Sequence, residues 1–445
     1  MNKTIVLPWA LMSLLLCSSC HDDDLLSTHW MEPTLQDSWK LELMPGVGRP
    51  GSSVMAYKDK LYDGLFTRNR GWNGGDGVLT VGLPNGDVLW TFNDSFYGVV
   101  GANRMRGQCN FPRNSIMVQK AHNGVLGETS QDFVWLADYV NWTDSTADRY
   151  FQCRTHLRHP QGEKTPAEIQ AGDIDQTMVY WSGDGTVYNG KLQLLWMGTQ
   201  SQQLQTVGTA LAIYSLTGNE PQGYYLKDIP DYLPHEGDYL YRESVNHNLN
   251  DHTVSFGSTL CEADDGHTYL YASVNNYTTV VARTETHDLS SKWSYYMKDA
   301  TTGQWSWQDT YPTDEQLSSS GIVKGGFLGS MPWVFKDNDY YYMTMQGAYF
   351  SRDVYIYRSK TPYGPFTDQR FLFTLPSTLD KLGDTSYYQL YMVNLHPALS
   401  REGELVFSTN TSTENFWNNF NNDGSADFYR PYFYRIYNWK SVYDE

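Results

Sequence analysis

The sequence predicts an all-β fold, a five-bladed β-propeller. Hairpin-like units recur five times along the chain, and amphipathic helical periodicity is nearly absent. Aromatic residues make up 15% of the chain, and aromatic side chains suit the faces of β-sheets. The competing fold is a large β-sandwich. A propeller is favoured because its closed ring leaves no long exposed edge strand.

The N-terminus has the features of an export signal. Lys3 supplies a positive charge, and the apolar run at residues 5–16 is too short to span a bilayer as a helix. Residues 1–19 are therefore predicted to be a signal peptide. The segment Cys17-Ser18-Ser19-Cys20 resembles the lipobox of bacterial lipoproteins, which implies that Cys20 is acylated. The alternative is an ordinary secretory signal with two incidental cysteines.

The acidic run that follows Cys20 indicates where the protein is displayed. Residues 22–24 are all Asp, and such a run resembles the signal that sends Bacteroidetes lipoproteins to the outer face of the outer membrane. We expect lipid to be the only membrane anchor, since no other segment is apolar enough to cross a bilayer. Residues 20–36 are then a flexible tether, and residues 37–445 form a single propeller domain.

Each of the five units is a strand, a turn rich in Gly, Asn or Asp, and a returning strand. The hairpins are Gly77–Leu83 with Val88–Phe92, Met178–Thr186 with Leu192–Met197, Val254–Cys261 with Thr268–Ser273, Gly329–Phe335 with Tyr340–Met345, and Tyr391–Leu399 with Leu405–Thr409. A further strand candidate follows each: Ser115–Val118, Ala210–Tyr214, Val280–Arg283, Val354–Arg358 and Tyr432–Tyr437. Spacings of roughly 60 to 105 residues fit propeller blades with long loops.

Two smaller segments complete the prediction. Trp39–Leu43 is a candidate strand that would complete the last blade, and Thr165–Ala171 is the one helical candidate, inside a polar loop.

The first hairpin brings two carboxylates together. Asp76 and Asp94 each lie nine residues from Asn85 in the turn, so an antiparallel hairpin places them opposite one another. Opposite residues project from the same face with Cβ atoms roughly 4.5 to 5.5 Å apart. Close like charges separate the pKa values of two carboxyls, which glycoside hydrolysis requires. The alternative is that each Asp bonds to local backbone at a turn or strand end.

Several motifs resemble the opening blade of a group of bacterial five-bladed propellers. They are Gly74-Gly75-Asp76-Gly77, Phe92-Asn93-Asp94-Ser95-Phe96 and Arg113-Asn114-Ser115. The group includes endo-D-arabinanases and an uncharacterised family of Bacteroidetes lipoproteins. Later segments agree and extend the resemblance over most of residues 70–437: Val281-Ala282-Arg283, Ser359-Lys360-Thr361-Pro362-Tyr363-Gly364-Pro365-Phe366 and His396-Pro397-Ala398-Leu399-Ser400.

The resemblance implies a catalytic role for Asp76 and Asp94, which occupy the positions of the two proposed catalytic Asp residues in the arabinanases. One departure is Asn93, where the relatives commonly have Gly. The later blades match the uncharacterised lipoprotein family better than they match the enzymes.

Other residues are candidates to contact a substrate. Arg113 and Asn114 begin a strand near the same end of the blade, where they either hold a sugar hydroxyl or brace Asp94. Glu262, in the third hairpin, would be a third acid if its face turns inward, and Glu243 is a similar candidate.

The fourth and fifth units supply the remaining candidates. Asn394 and His396 precede the fifth turn, where a His more often packs or forms hydrogen bonds than binds a metal. Trp333 and Tyr391 are candidates to stack on sugar rings, although core packing is the ordinary role of such residues.

Charge limits the partners. The formal net charge of −18 would repel nucleic acid, anionic lipid and strongly acidic polysaccharides. No phosphate-binding loop, Ser/His/Asp nucleophile motif or zinc-spaced set is present. In residues 419–430, alternating oxygen donors suggest a calcium loop, but its twelfth position is Arg430. We therefore expect no cofactor, no metal, and a monomer that handles a polysaccharide or oligosaccharide.

These observations predict a glycoside hydrolase at the cell surface that acts on a neutral polysaccharide, for which the resemblance implies an arabinose-containing one. The first alternative is a non-catalytic glycan-binding lipoprotein of a polysaccharide-utilisation system. A third interpretation is a structural or protein-interaction propeller, which a channel blocked by residues 144–170 would favour.

Overall fold

The structure is a computed structural model that describes residues 40–44, 53–135, 155–162, 178–216, 241–275, 277–325, 330–348, 350–376, 388–413 and 415–444. The predicted acylated Cys20, the tether at residues 20–36 and the helix candidate at residues 165–171 lie outside these ranges. Within the described part of the chain, no helix is long and apolar enough to span a bilayer.

Strands dominate the described residues. In the first half of the chain they are β1 (Leu41–Leu43), β2 (Met55–Asp59), β3 (Arg70–Gly75), β4 (Leu79–Gly82), β5 (Val88–Phe92), β6 (Ser95–Val100), β7 (Arg106–Asn110), β8 (Ser115–Gln119), β9 (Ala121–His122), β10 (Val125–Leu126), β11 (Phe133–Trp135), β12 (Met178–Tyr188), β13 (Lys191–Gln200), β14 (Gln205–Ser215) and β15 (Tyr241–Asn250). In the second half they are β16 (Thr259–Glu262), β17 (Thr268–Val274), β18 (Thr278–Thr284), β19 (Trp293–Lys298), β20 (Trp305–Gln308), β21 (Ser330–Asp337), β22 (Tyr340–Gln346), β23 (Asp353–Ser359), β24 (Thr367–Thr374), β25 (Tyr388–Leu395), β26 (Glu404–Thr413) and β27 (Pro431–Tyr437).

Helices in the described ranges are short. Two α-helices lie there, α1 (Lys60–Leu65) and α2 (Asp314–Ser319), with 3-10 turns at Ala102–Arg104, Pro397–Leu399, Phe416–Asn419, Ser425–Asp427 and Trp439–Tyr443.

The strands form five antiparallel blades, as the sequence predicts. From the centre outward, blade 1 is β4-β5-β8-β11, blade 2 is β12-β13-β14-β15, blade 3 is β16 to β20 in chain order, blade 4 is β21-β22-β23-β24, and blade 5 is β25-β26-β27-β2-β1. Neighbouring innermost strands contact one another around a central channel. The protein is therefore a five-bladed β-propeller.

Turn chemistry explains why each blade begins with a tight hairpin. In blade 2, Tyr188 pairs with Lys191 across a turn in which Asn189 and Gly190 have φ values of 49° and 74°. Two successive positive φ values define the turn type whose twist matches that of paired strands, and Asn-Gly adopts it at little cost.

The core lies between the blades and continues around the whole ring. Five apolar clusters each draw on two neighbouring blades. In one of them, Trp90 and Met117 of blade 1 pack with Val406 and Phe433 of blade 5, so the last blade seals against the first. Side chains buried between all neighbouring sheets remove any open face and close the fold.

The N-terminal strands close the ring on the outer edge of blade 5. The prediction of Trp39–Leu43 as the completing strand was incomplete, because β2 lies between β1 and β27 and pairs with both. The closure cluster, Asp59, Glu404 and Arg435, stabilises this junction. Arg435 Nε donates to Asp59 Oδ2 and Arg435 Nη1 donates to Glu404 Oε1, each at 2.6 Å. Asp59 and Glu404 are 1% and 2% exposed.

Candidate active site

The acidic pair, Asp76 and Asp94, lies where the first hairpin passes from one sheet to another. Beyond blade 1 the two strands continue as β3 and β6, which form a separate three-stranded sheet with β7. Gly75 pairs with Ser95 in that sheet, and Leu79 pairs with Thr91 in blade 1. Asp76 and Asp94 are therefore opposite, and the Asp76 N–H donates to the Asp94 carbonyl at 3.4 Å. Each of the two residues is only 8% exposed.

Asn93 fixes this junction and ties blade 1 to blade 2. Its N–H donates to the Asp76 carbonyl, and its side-chain oxygen accepts from the Ser182 N–H, both at 2.7 Å. Gly77 has a φ of 61°, and a Cβ there would overlap the Asn93 amide. Asn93, which stands where the related motifs commonly have Gly, therefore fills the space beside Gly77 and links β12 to the acidic pair.

Asp94 is the more neutralised member of the pair. Arg113 binds it through both oxygens, with Nε to Oδ1 at 2.7 Å and Nη2 to Oδ2 at 3.1 Å. The indole N–H of Trp181, from blade 2, donates to Oδ1 at 3.3 Å. Burial raises the pKa of Asp94, and the Arg113 charge opposes that shift. The paired guanidinium stabilises the ionised form of Asp94, while burial keeps the pKa of Asp94 above its ordinary value.

Among the described residues, the hydrogen-bond donors to the Asp76 side chain are neutral. The hydroxyls of Tyr391 and Tyr429 donate to Oδ2 at 2.6 and 3.1 Å, while Oδ1 is buried with no hydrogen-bond partner among the described residues. Burial first, and then the charge of Asp94, raise the pKa of Asp76 to about 7, against smaller lowering effects of the two tyrosines and Arg113. Asp76 can thus hold a proton near neutral pH.

This unequal pair can perform acid–base chemistry. A protonated carboxyl beside an ionised one provides the proton donor and the base or nucleophile that cleavage of a glycosidic bond needs. The two environments, rather than the residue types, create the difference.

Arg113 and Asn114 are neighbours in the chain and were given the same predicted role, but they have different surroundings in the structure. Arg113 contacts Asp94 and remains partly exposed, so it can face a ligand. Asn114 is fully buried. Its amide donates to the carbonyls of Leu157 and Tyr180, and its oxygen accepts from the Leu157 N–H. Asn114 therefore holds a neighbouring segment rather than facing the mouth of the site.

The side chains of Trp333, Asn394 and His396 are buried in the wall of the channel, further from its mouth than the acidic pair. Trp333 Nε1 donates to Asn394 Oδ1 at 3.1 Å, and the Asn394 amide donates to the carbonyl of Val78, two residues beyond Asp76. His396, fully buried, contacts Thr80 and Ser408, and burial lowers its pKa to about 3. These side chains hold blades 1, 4 and 5 together, and none of the three is bonded to the acidic pair.

Glu262 lies at the other end of the channel. There the innermost strands surround a cavity of about 420 Å³ whose lining includes Glu262, Asp184 and Trp333. Glu262 is exposed and accepts a hydrogen bond from Thr186. Because this end carries the hairpin turns and Asp76 precedes β4 at the opposite end, Glu262 is not a third acid of the same site.

Glu243, the similar candidate, lies on the outermost strand of blade 2. It is exposed and contacts Lys191 and Ser215, so it is not part of the channel. Among the described residues, no group of three or more His, Cys, Asp or Glu side chains is arranged to hold a metal ion.

The contacts of Tyr429 and Trp181 with the acidic pair were not predicted from the sequence, and Tyr391 was expected in a different role. Tyr391 was expected to stack on a sugar, whereas its hydroxyl binds Asp76, 315 positions away. Tyr429 lies 353 positions from Asp76, and no local pattern marks it. Trp181 stands in a predicted inner strand, where an alternating pattern could have assigned it to the channel side.

The chain is similar to a known protein family over most of its length. The model of a family described as a domain of unknown function, DUF5005, matches residues 59–439. A crystal structure of a "putative hydrolase" from Bacteroides ovatus is 51% identical over 93% of this chain and 98% of its own, with a TM-score of 0.82.

More distant solved structures are glycoside hydrolases. A GH43_1 enzyme from Xanthomonas citri is 12% identical, covering 83% of this chain and 88% of its own, with a TM-score of 0.37. An exo-1,5-alpha-L-arabinanase from a bovine ruminal metagenomic library is 10% identical, covering 82% and 93%, with a TM-score of 0.36. Likeness this low carries no conclusion about activity. No curated protein matches the chain. The match over residues 59–439 shows that the chain belongs to the DUF5005 family.

Proposed function

We propose that this protein is a glycoside hydrolase that cleaves a neutral polysaccharide with Asp76 and Asp94. The observation that carries the proposal is their unequal neutralisation: Arg113 binds Asp94 through both oxygens, while Asp76 has two hydroxyl donors and a raised pKa of about 7. Two opposed carboxyls of different protonation are the requirement of this reaction. The 51% identical relative described as a hydrolase agrees with it.

The geometry favours one division of roles. Protonated Asp76 donates its proton to the glycosidic oxygen as the bond from that oxygen to the anomeric carbon breaks. Ionised Asp94 either attacks the anomeric carbon or removes a proton from the attacking water, and water supplies the elements that complete hydrolysis.

The test is a pair of isosteric substitutions. Wild type, Asp76→Asn and Asp94→Asn would be incubated with D-arabinan, L-arabinan, arabinoxylan, arabinogalactan and galactomannan, and new reducing ends would be measured. We expect each variant to lose about 10²- to 10⁴-fold in rate on the polysaccharide that wild type cleaves. Undiminished cleavage by both variants would refute the two-Asp mechanism.

The rival function is glycan binding without cleavage. It predicts that wild type is retarded by a polysaccharide in affinity electrophoresis and releases no reducing ends over a long incubation. A structural or protein-interaction role predicts neither effect. Most of residues 144–170, whose position would favour that role, lie outside the described ranges.

We also propose that Cys20 carries lipid and displays the propeller on the outer face of the outer membrane. The lipobox-like residues 17–20 and the acidic run after them support this. Labelling with a radioactive fatty acid should mark wild type and not Cys20→Ala, and protease added to intact cells should digest the wild-type protein. Equal labelling of both forms would contradict the lipid assignment.

A further inference from the structure

An exposed group of aromatic side chains lies on the loop that joins β26 to β27. Trp417 is 72% exposed and Phe416 42% exposed, and the two ring centroids are 5.6 Å apart. Phe416 also packs against partly exposed Phe111, with centroids 5.6 Å apart. We call Phe111, Phe416 and Trp417 the aromatic surface. Single exposed apolar side chains are ordinary, but a contiguous group marks a binding surface.

The aromatic surface is continuous with the acidic pair. The guanidinium of Arg113 lies 5.2 Å from the centre of the Phe111 ring, and the same guanidinium binds both oxygens of Asp94. The path from Trp417 through Phe416, Phe111 and Arg113 therefore ends at the proposed nucleophile or base.

The loop is held in place by buried contacts. Arg106 of β7 is fully buried, and its guanidinium donates to the carbonyls of Asn419, Ser425, Ala426 and Phe428. The ring of Phe96, in β6, packs against Phe420 at 5.1 Å between centroids. A ring on an anchored loop loses less entropy on binding a ligand than one on a mobile loop.

The same loop also serves the acid. Tyr429, at its far end, donates to Asp76, and its carbonyl accepts from the Gly75 N–H at 2.7 Å. One segment therefore presents Phe416 and Trp417 of the aromatic surface and positions Tyr429, a partner of the proposed proton donor.

We propose that the aromatic surface binds sugar residues of the same neutral polysaccharide, next to the bond that the acidic pair cleaves. The inference rests on the proposed function. Aromatic faces stack on the apolar faces of sugars, and the chain's net charge of −18 disfavours acidic polymers. Binding along this surface would extend the site beyond the cleaved bond and favour a polymer over a short substrate.

The experiment separates binding from cleavage. Trp417→Ala and the double variant Phe416→Ala with Trp417→Ala would be compared with wild type on the polysaccharide panel, and again in the Asp76→Asn background by affinity electrophoresis. We expect KM for the polysaccharide to rise about tenfold or more with a much smaller change in kcat, and retardation to weaken by a similar factor.

A matched control is Val125→Ala. Val125 is 69% exposed and lies on the β9–β10 hairpin, which packs beside Gly86 at the turn end of blade 1, away from the acidic pair. We expect wild-type KM and retardation from it. Coincident thermal unfolding of all variants would show that the losses are not due to misfolding.

The outcomes distinguish the two proposals. If wild type cleaves a polysaccharide and the double variant keeps the wild-type KM and retardation, the aromatic surface is not a subsite, while the hydrolase proposal stands. If wild type is retarded without cleavage and the double variant is not retarded, the surface binds glycan and the hydrolase proposal fails. If wild type shows neither effect on any member of the panel, both proposals are overturned.

Discussion

The closure cluster and the acidic pair are both buried pairs of carboxylates that an arginine contacts, yet the charges are arranged in opposite ways. Arg435 bridges Asp59 and Glu404, so one cation serves both acids. Arg113 binds both oxygens of Asp94, whereas Asp76 accepts hydrogen bonds from two hydroxyls. A buried carboxylate is stable when it is paired and costly when it is not. The first arrangement stabilises the ring, and the second keeps a proton exchangeable.

The pKa values express the same difference. Burial alone would raise the pKa of Glu404, but Arg435, followed by Arg401 and Tyr437, brings it below its ordinary value. For Asp76, burial and Asp94 act in the same direction and raise the pKa to about 7. We expect stability to depend on the closure cluster and activity on the pair, which matched substitutions can test.

The largest expected effect is on the closure. Arg435→Met removes the cation that Asp59 and Glu404 share and leaves Glu404 with half-exposed Arg401, so we expect a loss of about 3–5 kcal/mol in the free energy of unfolding. Chemical denaturation at neutral pH measures it. Arg401→Met is the control. Arg401 pairs with the same Glu404, but its side chain is 50% exposed, and we expect a loss below about 1 kcal/mol. Equal losses in the two variants would contradict the comparison.

The second prediction is that neutralising one carboxylate changes the free energy of unfolding in opposite directions in the acidic pair and in the closure cluster. Because the folded-state pKa of Asp76 exceeds its unfolded value of 3.8, its ionisation destabilises the fold fully above pH 7 and less as pH falls toward 4. Asp76→Asn should therefore stabilise the protein by about 2 kcal/mol at pH 8 and by almost nothing at pH 4.

Glu404→Gln is the matched change in the closure. The pKa of Glu404 is lower in the folded protein than in the unfolded chain. Ionised Glu404 therefore stabilises the fold fully above the unfolded-state pKa, and this stabilisation is lost as pH falls through the folded-state pKa. We expect a loss of about 3 kcal/mol at pH 8, where one partner of Arg435 becomes neutral. Urea unfolding of wild type and both variants across this pH range gives the differences. An Asp76→Asn variant that is less stable than wild type at pH 8 would refute the destabilising effect assigned to ionised Asp76.

The third prediction concerns the pH dependence of activity. If Asp76 is the acid, kcat/KM on the cleaved polysaccharide falls as pH rises through about 7. Arg113 lowers the pKa of both acids, so Arg113→Met should move both limbs of the profile to higher pH and reduce the maximum by about 10²-fold. Arg113→Lys keeps the positive charge, so the limbs of its profile should lie close to those of wild type. Its maximum should remain reduced. Unmoved limbs in Arg113→Met would exclude this electrostatic role.

The smallest effects come from single tyrosine hydroxyls. Tyr429→Phe removes a donor that lowers the pKa of Asp76, so the falling limb of the activity profile should shift up by less than about one pH unit. Tyr437→Phe removes a donor to Glu404 in the closure and should cost about 1–2 kcal/mol of stability. A Tyr429→Phe profile identical to wild type would show that this hydroxyl does not tune the acid.

Local patterns account for what could be predicted. The five blades follow from hairpin turns such as Asn189-Gly190, whose residues dictate a backbone shape within a few positions. The opposition of Asp76 and Asp94 follows from counting along one hairpin, since both sides belong to one continuous register.

The unpredicted parts depend on distant contacts or on glycine. β3 was not expected, because its three glycines resemble a turn. Gly74 is needed there because a Cβ would lie 2.7 Å from the carbonyl of Tyr429. Trp333 and His396, which were predicted to contact a substrate, lie buried within the channel wall, and burial of this kind has no signal in a single sequence.

The closing of the ring has a consequence for how the protein matures. Both partners of Asp76 belong to the last quarter of the chain, at Tyr391 and Tyr429, and contacts between such distant positions form late because long loops must close first. Until blade 5 packs against blade 1, Asp76 lacks its two hydroxyl donors and part of the burial that raises its pKa. The proposed proton donor thus comes into existence only with the completed ring, so a partly folded chain would be inactive.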